Sequence, residues 1–243
     1  MDWLPGGVWR SPRWIVLGVA VAVLTACTYR GGIDQPVTLK ATWFSYLNGD
    51  DIRAACVTGG AGGTWYRLVY NGDYDAQLRS YEVVAQADGG ALLTARVQTG
   101  GGIDLTRLSL TDLQAPGRWT TARVRLDPAG LSALEGALAV SGAFGPAPSG
   151  LRLASEEFYW VFAGCRDGAF HFNAWRYPSA RFARLVFPET LSRYDRTGVP
   201  VNPPREVLPI ERGSRAPGPA EDPTPRFDLE VGEAGFKGFS PLF

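Results

Sequence analysis

Short runs of alternating hydrophobic and polar residues, separated by turn dipeptides, fill the middle of the chain. Four Asn-Gly or Asp-Gly dipeptides lie between these runs: Asn48-Gly49, Asn71-Gly72, Asp88-Gly89 and Asp167-Gly168. Such dipeptides accept the positive φ angles of the type I′ turn, whose twist suits a β-hairpin. The pattern predicts strands at 38–47, 64–71, 78–87, 91–99, 104–110, 119–126, 157–165, 169–177 and 183–187. We therefore expect a mainly β globular domain over 38–198, an antiparallel sandwich or partly closed barrel.

The strand predicted at 169–177 shows the alternation most clearly. Phe170 and Phe172 fall on one face of the strand, whereas His171, Asn173 and Trp175 fall on the other. Both faces carry aromatic residues. The alternation itself is typical of a β-strand.

One helix is signalled over about 128–140. Asp127 can cap the first turn, Pro128 suits the first helical position, and three leucines follow at helical spacing before Gly142. The first predicted strand is less well determined, because Leu39–Leu47 could also be helical.

The composition changes near residue 198. Prolines, glycines and charged residues follow without an apolar period, which predicts a flexible Pro-rich arm over 199–243, disordered or extended over 203–235. Phe236, Phe239 and Phe243 give this arm an aromatic tip. The tip can serve as a docking peptide for a partner, or it can pack back on its own domain.

The N-terminus has the features of a secretory signal. Arg10 and Arg13 precede an apolar run of 13 residues, Trp14–Ala26. A helix that spans a bilayer needs roughly 20 residues, so an uncleaved transmembrane anchor is the weaker alternative. The run ends in Leu24-Thr25-Ala26-Cys27, which resembles the lipobox of bacterial lipoproteins.

This resemblance implies that residues 1–26 are a signal peptide, that Cys27 is lipidated, and that residues 27–37 are a tether. In enterobacterial lipoproteins an Asp after the Cys retains the protein at the inner membrane. Thr28 stands there in this chain, so the resemblance favours the outer membrane, with the protein facing the periplasm. An ordinary cleaved signal without lipid remains an alternative.

Cleavage before Cys27 would leave 217 of the 243 residues, enough for one domain and a tail. The removed segment holds one acidic and two basic residues, so 22 basic and 23 acidic residues remain of 24 each. This balance gives no reason to expect a nucleic-acid partner or an anionic lipid surface. The membrane contact that we expect is the lipid anchor.

Two cysteines remain besides the lipobox cysteine. In an oxidising compartment Cys56 and Cys165 are expected to pair, although two buried free thiols are the alternative. A structural zinc site needs four ligands, and these thiols with His171 supply three. We expect no metal and no cofactor.

Motifs for catalysis are weak. The glycines of 59–63 precede a strand pattern rather than the helix that a phosphate-binding loop requires. No Gly-x-Ser-x-Gly motif is present, and His171 is the only imidazole. The acidic residues after the first two Asn-Gly dipeptides fit turn chemistry or a calcium loop without EF-hand spacing. We expect no catalytic residue.

Aromatic residues concentrate in the predicted strands. They fit the core of a β domain, or a cavity for a small hydrophobic ligand. The candidate contacts for a ligand or partner are Trp65, Tyr66, Tyr70, Trp160, His171, Trp175, Tyr177, Phe236, Phe239 and Phe243. The sequence thus predicts a non-catalytic, lipid-anchored envelope protein that binds or scaffolds another envelope protein. A β-barrel that binds a hydrophobic molecule or lipid is the alternative.

Overall fold

The computed structural model describes residues 36–58, 63–100, 119–207 and 227–237. The strands are β1 Trp65–Gly72, β2 Gln77–Ala85, β3 Ala91–Thr99, β4 Thr120–Leu126, β5 Arg152–Ala154, β6 Phe158–Arg166, β7 Ala169–Arg176 and β8 Asp228–Glu230. The helices are α1 Pro36–Asn48, α2 Asp50–Val57, α3 Pro128–Val140, α4 Ala180–Ala183 and α5 Phe187–Tyr194.

Six strands form one antiparallel sheet in the order β4-β3-β2-β1-β6-β7, and β5 pairs with β8 in a second, two-stranded sheet. The large sheet is not closed. The prediction of a mainly β, antiparallel fold is confirmed, and six of the nine predicted strands coincide with strands of this sheet. The strand predicted at 104–110 lies outside the described residues.

Two of the four dipeptides, Asp88-Gly89 and Asp167-Gly168, lie in hairpin turns as predicted, and a third is shifted by one residue. Asp167 (φ 52°) and Gly168 (φ 74°) join β6 to β7 with positive φ at both positions, as a type I′ turn requires. Gly89 (φ 81°) lies in the turn between β2 and β3. Asn71-Gly72 still belongs to β1, and the positive φ of the next turn falls on Asp73 (φ 63°).

Two predicted strands are wrong. Residues 38–47 belong to α1, where Trp43, Tyr46 and Leu47 are buried at i, i+3 and i+4, a helical spacing. Asn48-Gly49 therefore separates two helices instead of closing a hairpin. Residues 183–187 run from the end of α4 into the start of α5, whose first turn contains Pro188.

Helix α3 has the predicted bounds, although it is not the single helix that we expected. The Asp127 carboxylate accepts a hydrogen bond from the Gly130 amide at 2.7 Å, and Pro128 is the first helical residue. Gly142 follows the helix with φ 78°, a conformation that favours glycine. The local signals for this helix were sufficient to place both ends.

The C-terminal region is not a free arm in its described parts. Near residue 200 the chain runs along the sheet. There the Pro200 carbonyl accepts a hydrogen bond from the side-chain amide of Gln77 at 2.8 Å. Residues 227–237 return as β8, and Leu229, Val231 and Phe236 are buried. Burial of apolar residues at alternate positions stabilises the packing of this segment on the domain. The apolar pattern is too short to stand out in the sequence from the prolines around it.

Both faces of the large sheet are covered. On one side, which we call the α2 face, Val69 and Val161 pack with α1, α2 and β8. On the other, the α3 face, Leu68 and Trp160 pack with α3 and α5. Strand alternation thus divides the core in two. No helix among the described residues is long and apolar enough to cross a membrane.

Candidate functional site

The predicted contact residues on the strands do not meet in one place. Trp65 lies on the α2 face, whereas Tyr66 and Tyr70 belong to the cluster on the α3 face. Trp160 and Trp175 are also on the α3 face, where their rings lie 5.2 and 5.3 Å from the ring of Phe187. These side chains fill the core, as strand residues with two covered faces must.

Two further contact candidates pack against their own domain. The Tyr177 ring lies 5.3 Å from Phe182 of α4. Phe236 is buried, with its ring 5.1 Å from that of Phe172. Phe239 and Phe243 lie outside the described residues. The aromatic rings of the described chain thus pack on one another on both sides of an open sheet.

His171 lies half-buried on β7, at the margin of the α3 face. Its ring lies 5.2 Å from Phe144, and the Arg166 guanidinium lies 4.9 Å from the same Phe144 ring. Burial lowers the pKa of His171, and the positive charge of Arg166 lowers it further. The imidazole is therefore neutral at neutral pH, and it packs against the same Phe144 ring as the Arg166 guanidinium.

A tyrosine and a carboxylate lie close to this group. The Tyr66 hydroxyl donates to Glu135 of α3 at 2.8 Å, and its ring lies 5.8 Å from Phe144. Gly164, which pairs with His171 across β6 and β7, makes room for the ring: a Cβ atom there would lie 2.7 Å from Tyr66 Cδ1. Glycine is required at position 164 because the Tyr66 ring packs directly against its backbone, not because the backbone there must be flexible.

A network of buried charges, which the sequence did not predict, lies on the α2 face. Arg67 of β1 is 1% exposed and binds both carboxylate oxygens of Asp51, each at 2.7 Å. Arg67 also donates to Glu82 of β2 at 2.9 Å, and Arg96 of β3 donates to Glu82 at 3.2 Å. The Tyr46 ring lies 3.8 Å from the Arg67 guanidinium.

These charges alternate in sign, so each is compensated by its neighbours. Burial acts to raise the pKa of Glu82, but the charges and hydrogen bonds of Arg67 and Arg96 outweigh it and lower that pKa. The network ties α2 to the middle of the sheet. Arg67 shares a strand face with Trp65 and Val69, and a charge at such a core-facing position was the available signal.

The disulfide lies in the same region. Cys56 of α2 and Cys165 of β6 are joined with their sulfur atoms 2.01 Å apart, across a sequence separation of 109 residues. Both cysteines are buried. Helix α2 is thereby fixed to the sheet by a covalent bond and by the Asp51–Arg67 ion pair. Cys27 lies outside the described residues.

The acidic residues that suggested a calcium loop do not form one group. Asp50 accepts hydrogen bonds from Ser45 and Asn48 at the start of α2, while Asp73 lies in the turn between β1 and β2. The described residues contain no group of three or more His, Cys, Asp or Glu placed to hold a metal ion. Of residues 59–63, the structure describes Gly63 alone.

Comparisons with known proteins do not assign this chain to a family. No protein-family model matches it, and neither a curated protein nor a solved structure matches it. Its function is therefore argued from its own residues.

Proposed function

We propose that this chain is a bacterial envelope lipoprotein, anchored through Cys27, that binds another envelope protein without catalysing a reaction. In this proposal the protein faces the periplasm, with the outer membrane favoured. The main support for this proposal is that the three cysteines have two different roles. Cys56 and Cys165 join α2 to β6, which leaves the lipobox cysteine as the third.

Disulfides persist in oxidising compartments such as the bacterial periplasm and are rare where thiols are kept reduced. The disulfide and the signal-like N-terminus are independent features, and both are accounted for by export. With Cys56 and Cys165 paired, lipidation of Cys27 would use the remaining thiol of the chain. This division supports the anchored topology.

A partner surface is supported at the junction of α3 and α5. Val140 is 74% exposed and Val186 is 42% exposed, and they are neighbours because the Ser141 hydroxyl accepts from the Val186 amide at 2.9 Å. Exposed Arg184 and half-buried Phe182 lie on the adjoining segment. Aromatic and arginine side chains are enriched in protein interfaces, and the two valines add exposed apolar area beside them. We call these four outer residues, Val140, Phe182, Arg184 and Val186, the valine surface.

The C-terminal arm has a smaller part in this proposal than the sequence suggested. Removal of 203–243 would take Leu229, Val231 and Phe236 from the core, so a loss of binding would not distinguish docking from unfolding. Removal of 238–243 alone spares every described residue and is the cleaner deletion.

The anchor is tested by mass spectrometry of the protein purified from membranes, with Cys27→Ser as the control. We expect the wild-type chain to begin at Cys27 and to carry acyl chains, and the variant to lack both features. A purified wild-type protein that retains residues 1–26 would contradict the anchor.

Partner binding is tested by a photo-crosslinking amino acid at position 186 in living cells. Thr121 is an exposed residue of β4 at the opposite edge of the sheet and is the matched control position. We expect a discrete adduct from position 186 that is absent from position 121, and unchanged in the 238–243 deletion. No adduct from position 186 in cells where Cys27 is lipidated would refute the valine surface and leave the anchor standing.

A further inference from the structure

A proline-rich segment lies on the α3 face shortly after α5. Residues 199–207 form neither helix nor strand there, and we call them the proline strap. Its backbone is held by hydrogen bonds from side chains of β1 and β2: Tyr70, Gln77 and Arg79. Arg79, which is 1% exposed, donates to the Val199 carbonyl at 2.5 Å, and Tyr70 donates to the Asn202 carbonyl at 2.7 Å. These hydrogen bonds order the strap on its own domain.

The sequence of the strap restricts its backbone conformation. It contains three prolines, Pro200, Pro203 and Pro204. Proline fixes its own φ near about −65° and holds the preceding residue in an extended conformation. Of residues 199–204, only Val201 is neither a proline nor followed by one. These restrictions favour polyproline II, an extended helix with three residues per turn.

Side-chain exposure in the strap has the same period of three. Val199 and Asn202 are half-buried, whereas Pro200 and Pro203, each one position later, are exposed. The Asn202 side chain points to the sheet and donates to a β1 carbonyl at 2.7 Å. Val201, which is 46% exposed, lies beside the exposed prolines in the chain. The strap therefore docks on the domain with one face and presents two proline rings and a valine on the outside.

The carbonyl groups of the strap also fall into two sets. Three of them accept hydrogen bonds from the sheet, those of Val199, Pro200 and Asn202. Within the part of the chain that the structure describes, the carbonyls of Val201 and Pro203 accept none. The strap thus offers apolar rings together with backbone acceptors that its own domain does not use.

We propose that the proline strap is the ligand for a groove of the partner protein that is lined by Trp and Tyr side chains. Aromatic rings pack on the prolines of a polyproline II segment, and an indole N–H or a phenol O–H can donate to its carbonyls. A strap that is already ordered loses less conformational entropy on binding than a disordered peptide does. Pro200, Val201 and Pro203 are the contact residues.

This inference rests on the proposed function, because it specifies the kind of protein that the chain binds. It uses a surface different from the valine surface. Val186 of the valine surface precedes α5, whereas the strap follows α5, and this helix of 8 residues is about 12 Å long. The two surfaces can therefore be tested separately by position.

The test is photo-crosslinking in living cells, with the photo-reactive amino acid at position 201 of the full, lipidated chain. The Val201 side chain is exposed, so its replacement leaves in place the hydrogen bonds that hold the strap. We expect a discrete protein adduct. Mass spectrometry should map the crosslink to a segment of the partner that contains Trp or Tyr. Position 186 is crosslinked in parallel.

Pro203→Ala tests whether the proline ring is recognised. It should lower the adduct yield from position 201 about tenfold, because roughly two CH₂ groups are lost from the contact. Pro146→Ala makes the same change at an exposed proline outside the strap and should leave the yield unchanged. Both variants should unfold at similar urea concentrations, so a difference in yield between them reports binding.

An adduct from position 186 but none from position 201 would overturn the inference and leave the proposed function intact. The inference would also fail if Pro203→Ala gave the wild-type yield. A crosslink to lipid, or to a partner segment without Trp or Tyr, would overturn it as well. No adduct from either position would refute the binding of a partner protein as a whole.

Discussion

Removing the disulfide by Cys56→Ala with Cys165→Ala should cost a large part of the stability of the fold. The two cysteines are 109 residues apart, and the closure of a loop of that length contributes about 4.8 kcal/mol in the chain-entropy relation. For a chain of this size, that corresponds to a decrease in Tm of roughly 10–20 °C. The effect acts mainly on the unfolded state, because α2 keeps its ion pair to Arg67 in the folded one.

The assay is guanidinium unfolding followed by tryptophan fluorescence and by circular dichroism. A Cys27→Ala background removes the third thiol and any lipid. The oxidised protein, the same protein with a reductant, and the double variant are compared. We expect the reduced protein and the double variant to unfold at similar, lower denaturant concentrations.

The reasoning would be refuted if the reductant left the unfolding midpoint unchanged. It would also fail if alkylation without a reductant labelled both cysteines in the unfolded oxidised protein. The first result would show only that a bond between Cys56 and Cys165 contributes no stability, whereas the second would show that they are unpaired thiols. The argument for an oxidising compartment would then lose its structural support, whereas the lipobox resemblance would be untouched.

Three further outcomes follow from the buried contacts. Arg67→Met should destabilise the fold by about 3–5 kcal/mol in urea unfolding, since it strands buried carboxylates, whereas Arg125→Met at an exposed ion pair should change stability by less than about 0.5 kcal/mol. Burial acts to raise the pKa of Asp195, but hydrogen bonds and a neighbouring arginine outweigh it and lower that pKa. The stability this carboxylate contributes is therefore present above about pH 4 and lost as the pH falls through its lower folded pKa, so the difference in urea midpoint between wild type and Asp195→Asn should shrink in acid. Phe236→Ala should cost about 3–5 kcal/mol in thermal or urea unfolding, with the exposed Lys237→Ala as a near-neutral control.

The sequence by itself determined the features that depend on neighbouring residues. Asp127 and Pro128 define the start of α3, because a side-chain cap and a missing N–H act within one helical turn. Asp167-Gly168 defines the β6–β7 hairpin for the same reason, since the positive φ angles are local. The alternation within 169–177 also predicted correctly which side chains share a face.

Only the tertiary structure decided what covers each face and which distant residues meet. Residues 38–47 carry apolar side chains that suit either a strand or a helix, and packing on the sheet selects the helix. Helix α2 lies over β6 and β7, which brings Asp51 within reach of Arg67 on the adjacent strand β1, and Arg67 in turn contacts Glu82 of β2. No local pattern encodes this juxtaposition.

The same holds for the C-terminal region. The Phe236 amide donates to the Asn48 side chain across 188 residues of sequence, so a segment that resembles a flexible arm belongs to the core. Short-range chemistry determines turns and caps, but burial and pairing are properties of the whole chain, and they decide which residues of this protein form a site.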